Sequence, residues 1–287
     1  MISRMFVGFY RFVHGRLHWP GAGWLLRHAA NNLPGLRSFP LVLPGVGTAL
    51  VDFRDESIFV LLNYSLGERG SDWALLSAMS QVLRPGDVLW DVGANVGYVS
   101  QYFAREKFHL AEIHAFEPNP SVVTTLRSLF RDCAQVRVHS VGLGAQDEER
   151  QIHIDPRGSS TSSLVADLPG AKTVPIKICQ ADRLRNENGL AAPAVVKVDV
   201  EGFEPQVFAG MQQTIQQARP IIFFEHIWID DESVRRIVPT GYDLTFLLDD
   251  GTLTRDFTVR HQGANAILTP SEKAGILGSR VTWEGAL

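Results

Sequence analysis

Apolar positions along the chain follow two rhythms that alternate. Short apolar runs at Val88-Leu89-Trp90, Ile113-His114-Ala115-Phe116, 136–141, 194–198 and Ile221-Ile222-Phe223-Phe224 read as strands buried on both faces. Between them the apolar positions recur every three to four residues, as in Trp73, Leu75, Leu76, Met79, Val82 and Leu83, which predict a helix over 72–84 stopped by Pro85-Gly86-Asp87. Further helices are predicted over 99–105, 121–130 and 205–217. Strand and helix in turn point to an α/β fold with a mostly parallel central sheet and helices on both faces. Residues 151–154 and 173–178 alternate polar and apolar around the Ser-rich stretch 158–163, the pattern of an inserted β-hairpin. Segments 244–248 and 265–268 predict antiparallel edge strands that close the sheet.

Before this core, Ile2, Met5, Phe6, Phe9, Phe12 and Val13 form one stripe of an amphipathic helix. That stripe suits packing against the main domain or a second subunit, which would make a homo-oligomer, and suits peripheral membrane contact less well because Gly8 weakens the helix. Pro-Gly pairs at 20–21, 34–35 and 44–45 break up the next stretch, and strands are expected at 49–53 and 57–62. The chain thus divides into an N-terminal extension (1–64), a catalytic-type α/β domain (65–270) and a C-terminal tail (271–287).

Charge adds one feature. The net charge is −4, yet all 31 acidic residues lie after Val51, while five arginines precede it, so a basic arm fronts an acidic body. An acidic body without a basic, aromatic stripe speaks against nucleic acid as partner. The two cysteines, Cys133 and Cys179, have neither disulfide-framework nor zinc-site spacing. With no secretory leader and no apolar run near the roughly 20 residues of a membrane span, a cytoplasmic protein is expected.

The chemistry concentrates where predicted strands end. Asp91-Val92-Gly93-Ala94-Asn95-Val96-Gly97 joins a strand to a helix, and its glycines let a loop come close to a ligand. It lacks the middle glycine of a dinucleotide fingerprint and carries Asp91, which repels a diphosphate but suits a cationic cofactor such as S-adenosylmethionine. Glu117, 24 residues after Gly93 in Phe116-Glu117-Pro118-Asn119, is placed to take ribose hydroxyls, and Ser140 marks the expected adenine edge. Lys197-Val198-Asp199-Val200-Glu201-Gly202-Phe203-Glu204 crowds charge onto a buried strand end, where charges must be paired or functional. Phe224-Glu225-His226 ends the next strand, and both polar residues are expected beside Asp199. His226, Asp199 and Glu201 are the candidate bases, with Lys197 and Glu225 balancing the cluster. A divalent metal is not expected, although Asp199, Glu201 and Glu225 are oxygen ligands of the kind magnesium accepts.

Taken together and in this order, these four motifs resemble the FkbM family of S-adenosylmethionine-dependent methyltransferases over roughly residues 65–270. The resemblance implies a Rossmann-like methyltransferase fold and O-methyl transfer to a hydroxyl of a sugar, glycan or related natural product. It implies that Asp91, Gly93, Asn95, Gly97 and Glu117 bind the cofactor, and that Asp199 sits where the cofactor meets the acceptor. The segment Gln180-Ala181-Asp182-Arg183-Leu184 is similar to the family's Leu-Asp-x-Leu segment, with Ala181 in place of leucine. A nicotinamide oxidoreductase using the same loop, and a methyltransferase fold that binds cofactor without turnover, are the alternatives.

Overall fold

The computed structural model describes residues 21–36, 39–43, 47–55, 58–59, 72–154 and 172–282. The amphipathic helix expected at 2–13 and the Ser-rich stretch 158–163 lie outside the described residues. Chain order is α1 (Gly21–Asn32), β1 (Phe39–Leu43), β2 (Gly47–Val51), α2 (Trp73–Val82), β3 (Val88–Val92), α3 (Tyr98–Phe103), β4 (Glu112–Phe116), α4 (Pro120–Leu129) and β5 (Val136–His139). There follow β6 (Gly142–Gly144), β7 (Glu148–Ile154), β8 (Lys172–Gln180), α5 (Ala181–Asn188), β9 (Val195–Val198), α6 (Glu204–Gly210), α7 (Gln212–Ala218) and β10 (Ile221–Glu225). The chain closes with α8 (Asp231–Ile237), β11 (Tyr242–Leu247), β12 (Leu253–Thr254), a 3-10 turn (Phe257–Gln262) and β13 (Asn265–Pro270).

The main sheet has the order β12-β11-β13-β10-β9-β3-β4-β5. From β10 to β5 all neighbours are parallel, and β13 runs antiparallel to both β10 and β11. Strand order reverses between β3 and β9, because β3 leads outward to β4 and β5 while β9 leads the other way to β10. At such a switch point the two following loops part and leave a crevice at the carboxyl ends of the strands. The largely apolar content of the central strands follows from burial on both sides: alternate residues feed two different cores. Leu89, Ile113, Ala115, Val195, Ile221 and Phe223 pack on one face with Phe103 and Leu126. Trp90, Phe116, Val196, Val198, Ile222 and Phe224 pack on the other with Phe208, Met211 and Ile215.

Several sequence expectations need correction. Segment 265–268 becomes β13, which lies inside the sheet between β10 and β11 and is no edge. The expected hairpin is part of a separate three-stranded sheet, β6-β8-β7, because Gly142 and Gly144 let β6 pair alongside Ile178 of β8. Of the strand expected at 57–62, Ile58 and Phe59 are described and are helical, following the turn at 53–55 that swings Ile58 into the core. The single helix expected at 205–217 is two, α6 and α7. Gly210 is pressed so closely on the backbone of Gly144 that a Cβ there would lie 1.8 Å from the Gly144 carbonyl oxygen. The new helix start is capped from outside: Asp182 accepts from the Gln213 and Thr214 amides, each at 2.8 Å, and from the Thr214 hydroxyl at 2.7 Å.

The described part of the N-terminal extension is continuous with the sheet's core. Ala30, Leu41, Val51, Phe53 and Ile58 share one buried cluster with α2 and α3, and so does Val281 from the C-terminal tail. The β1–β2 hairpin lies over α4, where the Leu50 amide donates to the Ser128 hydroxyl at 3.1 Å. No helix among the described residues is long and apolar enough to cross a membrane.

Candidate active site

Strand register builds the site. Asp91 of β3 lies opposite Ala115 of β4 and Lys197 of β9, and Lys197 lies opposite Phe223 of β10. Two residues further along each strand the side chains return to the same face. The next row is therefore Glu117, Gly93, Asp199 and Glu225, one from each of four adjacent strand ends. Gly93 has to be glycine: its φ is +76°, and a Cβ would stand 1.8 Å from the Asp199 carbonyl oxygen. Gly97, at φ +87°, caps α3, and a Cβ there would meet Leu126 at 2.6 Å.

The charges are wired tightly. Asp91 is fully buried, and one of its oxygens accepts from the Ser100 amide at 3.1 Å and the Ser100 hydroxyl at 2.6 Å. Lys197, also buried, donates to the Gly93 carbonyl at 3.0 Å and stands 3.6 Å from Asp91 and 3.2 Å from Asp199. Burial acts to lower its pKa, but the Asp199 and Asp91 carboxylates outweigh that and hold it as a cation. The positive partner that the sequence led us to seek for Asp91 in a ligand is thus a lysine of the chain itself.

The loop after β3 is equally committed. The Gly93 and Ala94 amides both donate to the Phe116 carbonyl at 3.0 Å, the Asn95 amide to Glu117 at 3.0 Å and the Gly97 amide to the Ala94 carbonyl at 2.8 Å. Asn95 takes the left-handed conformation, φ +48°. A diphosphate site needs free amides at this turn, and here they are spent on the protein. Glu117 accepts the Asn95 amide on one oxygen and the Asn119 amide, at 2.8 Å, on the other. Burial nevertheless lifts its pKa to about 7. Each oxygen keeps a lone pair, so the carboxylate can still receive hydroxyls. Asn119 caps α4 through the Ser121 amide at 3.1 Å, and its buried amide nitrogen has no protein partner. Ser140 is exposed just beyond β5.

Asp199, Glu201 and Glu225 converge, each with a carboxylate oxygen within 4.8 Å of the others', an arrangement able to hold a proton or a divalent cation. Burial, then Asp199, then Glu204 push Glu201 up to about 8, against the opposing effects of Lys197 and then of the nearby Trp228. Burial and the neighbouring acids Asp199, Glu201 and Glu204 push Glu225 well above the carboxylate range. Glu204, fully buried, binds the Val200 amide at 3.0 Å and so shapes the turn that carries Glu201; burial lifts it to about 7.

His226 does not join this cluster, because consecutive residues at a strand end leave on opposite faces. Glu225 turns toward Asp199. His226 packs edge-on against Phe246 and is engaged at Nδ1 by Arg260 at 3.0 Å; burial and that guanidinium lower its pKa to about 4. Sequence reasoning missed Ser100, Arg260 and Trp228. Ser100 was detectable one turn into the helix after Asp91, whereas Arg260 lies 34 residues from His226 and gave no local signal.

Comparison with known proteins agrees with this geometry. Residues 91–246 match the Methyltransferase FkbM domain. The chain is 31% identical over 153 residues to the hexuronic acid methyltransferase AglP of Haloferax volcanii, covering 53% of this chain and 61% of that one. It is 27% identical over 160 residues to the 31-O-demethyl-FK506 methyltransferase FkbM of Streptomyces tacrolimicus, covering 45% and 61%. The chain therefore spans about three fifths of the length of these curated relatives. A solved FkbM methyltransferase from Methylobacillus flagellatus KT overlaps 74% of this chain and 53% of its own at 16% identity and a TM-score of 0.48, too loosely to bear on function. A domain match that begins at Asp91, runs through the whole row of strand-end acids and takes in more than half of the sequence places this chain in the FkbM methyltransferase family.

Proposed function

We propose that the protein is an S-adenosylmethionine-dependent O-methyltransferase whose acceptor is a hydroxyl of a sugar, glycan or related natural product. The observation that carries this reading is the convergence of Asp199, Glu201 and Glu225 at the switch point. An alcohol is a weak nucleophile and needs its proton removed, whereas a carboxylate acceptor would need no base and would be repelled by the ionised acids of the row. The relative named for 31-O-demethyl-FK506 supports a hydroxyl acceptor, and the one named for a hexuronic acid supports a sugar.

The residues fit the cofactor. Glu117 keeps lone pairs for the two ribose hydroxyls, the Asn119 amide nitrogen supplies a buried donor without a protein partner, and the spent amides of the Gly93 loop disfavour a diphosphate. The last point also weighs against a nicotinamide cofactor. When bound, S-adenosylmethionine supplies an electrophilic methyl group on a sulfonium. Asp199, pinned by Lys197, orients the acceptor hydroxyl; Glu201 takes its proton; and Glu225, protonated, donates a hydrogen bond that keeps the cluster from carrying three full charges. Orientation of acceptor against methyl supplies a large part of the acceleration.

The test is calorimetric binding of S-adenosylmethionine, then labelled methyl transfer to a panel of glycosides, uronides and hydroxylated natural products. Glu117→Ala should weaken cofactor binding about tenfold or more, equivalent to about 1.4 kcal/mol. Asp199→Asn should lose turnover while binding cofactor within a few fold, and a chelator should leave turnover unchanged. Absence of saturable cofactor binding, or wild-type affinity in Glu117→Ala, removes the cofactor assignment.

A further inference from the structure

Beyond the acidic row, the chain turns sharply between β10 and α8 through His226-Ile227-Trp228-Ile229. Two large apolar side chains are exposed side by side there, Ile227 at 48% and Trp228 at 58%. Isolated exposed apolar residues are ordinary, but this turn is held from beneath at both ends. Arg260 donates to the His226 carbonyl at 3.0 Å and the Ile229 carbonyl at 3.1 Å, contacts His226 Nδ1 at 3.0 Å, and pairs with Asp231 at 2.6 Å. The pair is thus presented by a fixed support. The turn leaves the acidic row directly after Glu225, and Trp228 lies near enough to Glu201 to act on its carboxyl.

We propose that Trp228 is the acceptor platform of this site, its indole face stacking on the apolar face of a neutral pyranose ring whose hydroxyl edge meets Asp199 and Glu201. This rests on the methyltransferase reading and narrows its acceptor to a class. A pyranose has what the surface asks for. The axial C–H bonds of one face carry small positive charge suited to the negative face of an indole, and the ring's rim carries hydroxyls suited to carboxylates. Charge favours the neutral form: Lys197 is one cation between two carboxylates, Asp91 and Asp199, so the row keeps a negative charge in excess, unfavourable to a uronate or phosphate placed beside it. Trp228 supplies area at low entropic expense because its turn is ordered before binding.

The experiment is NMR of the six indole N–H groups in the full chain, assigned with Trp→Phe variants, with S-adenosylhomocysteine present. The probes are methyl β-D-galactopyranoside, methyl β-D-glucopyranoside, the uronide of the former, and phosphatidylcholine vesicles. A neutral glycoside should shift the Trp228 resonance saturably and leave Trp24, equally exposed at 60%, unmoved. Uronide binding should be about tenfold weaker, Trp228→Phe should bind within about threefold of wild type, and Trp228→Ala should lose about tenfold while melting at the wild-type temperature. Cofactor binding with a silent Trp228, or wild-type glycoside affinity in Trp228→Ala, overturns the platform alone. A response to vesicles and not to glycosides overturns it in favour of a membrane contact. Failure of the cofactor itself to bind overturns the methyltransferase reading and the platform with it.

Discussion

Glu201 illustrates how a residue acquires a role from its surroundings. A glutamate in water is half ionised near pH 4.5 and is a feeble base at neutral pH, but burial and the nearby Asp199 and Glu204 lift this one to about 8. A base matched to the working pH combines the right protonation state with driving force for proton transfer. His226, whose ordinary pKa made it attractive in the sequence, is tied to Arg260 and lowered to about 4. Glu201 must be ionised to act, so kcat/KM of the free enzyme should climb with pH and level off above about 8, falling about tenfold per unit below that. Glu201→Gln should lose about a hundredfold or more and abolish this limb. The limb surviving in Glu201→Gln, or vanishing in His226→Ala, would return the role to another group.

At the scale of elements, the turn after β9 carries the tension between stability and use. Glu201 sits in the left-handed region at φ +55°, followed by Gly202 at φ +96°. A non-glycine residue there costs on the order of 1 kcal/mol. Glu201→Gly should therefore melt at or above the wild-type temperature while turnover collapses, which calorimetry beside a methyl-transfer assay would show. Gly93→Ala should do the reverse of a mild change. Its methyl would drive into the Asp199 carbonyl and part β3 from β9, so cofactor binding and several degrees of Tm should go together. A Gly93→Ala chain with native melting and binding would mean that the two strand ends are not held this close.

For the whole molecule, an unusual number of buried acids makes stability depend on pH. Glu117 and Glu204 at about 7 and Glu201 at about 8 lie above the unfolded value of 4.5. Their contribution is fully present below 4.5 and is lost as pH rises through 7 to 8. His139 and His226, both about 4, lie below the unfolded 6.5, so theirs is present above 6.5 and lost as pH falls toward 4. The ligand-free chain should be most stable near about pH 5 and lose Tm as pH rises to about 8, readable by thermal melts across buffers. A Tm that is flat or rising between about pH 6 and 8 would contradict the burial assigned to these carboxyls.

How much of this was legible beforehand depends on range. The rhythm of apolar runs and helical periods determined the central strands and their helices, because burial on two faces and on one stripe leave different spacings in the chain. The acids at strand ends were visible for the same reason: a charge next to a run such as Val195-Val196-Lys197-Val198 stands out. Tertiary structure alone decided that Lys197 is the partner of Asp91, that β13 lies within the sheet, that the helical stretch breaks after Gly210 and restarts under an Asp182 cap, and that Arg260 claims His226. Each of these depends on groups tens of residues apart meeting through strand register and crossover, and register is a property of paired backbones. A sequence records which face a residue wants; only the assembled sheet settles which neighbour it finds there.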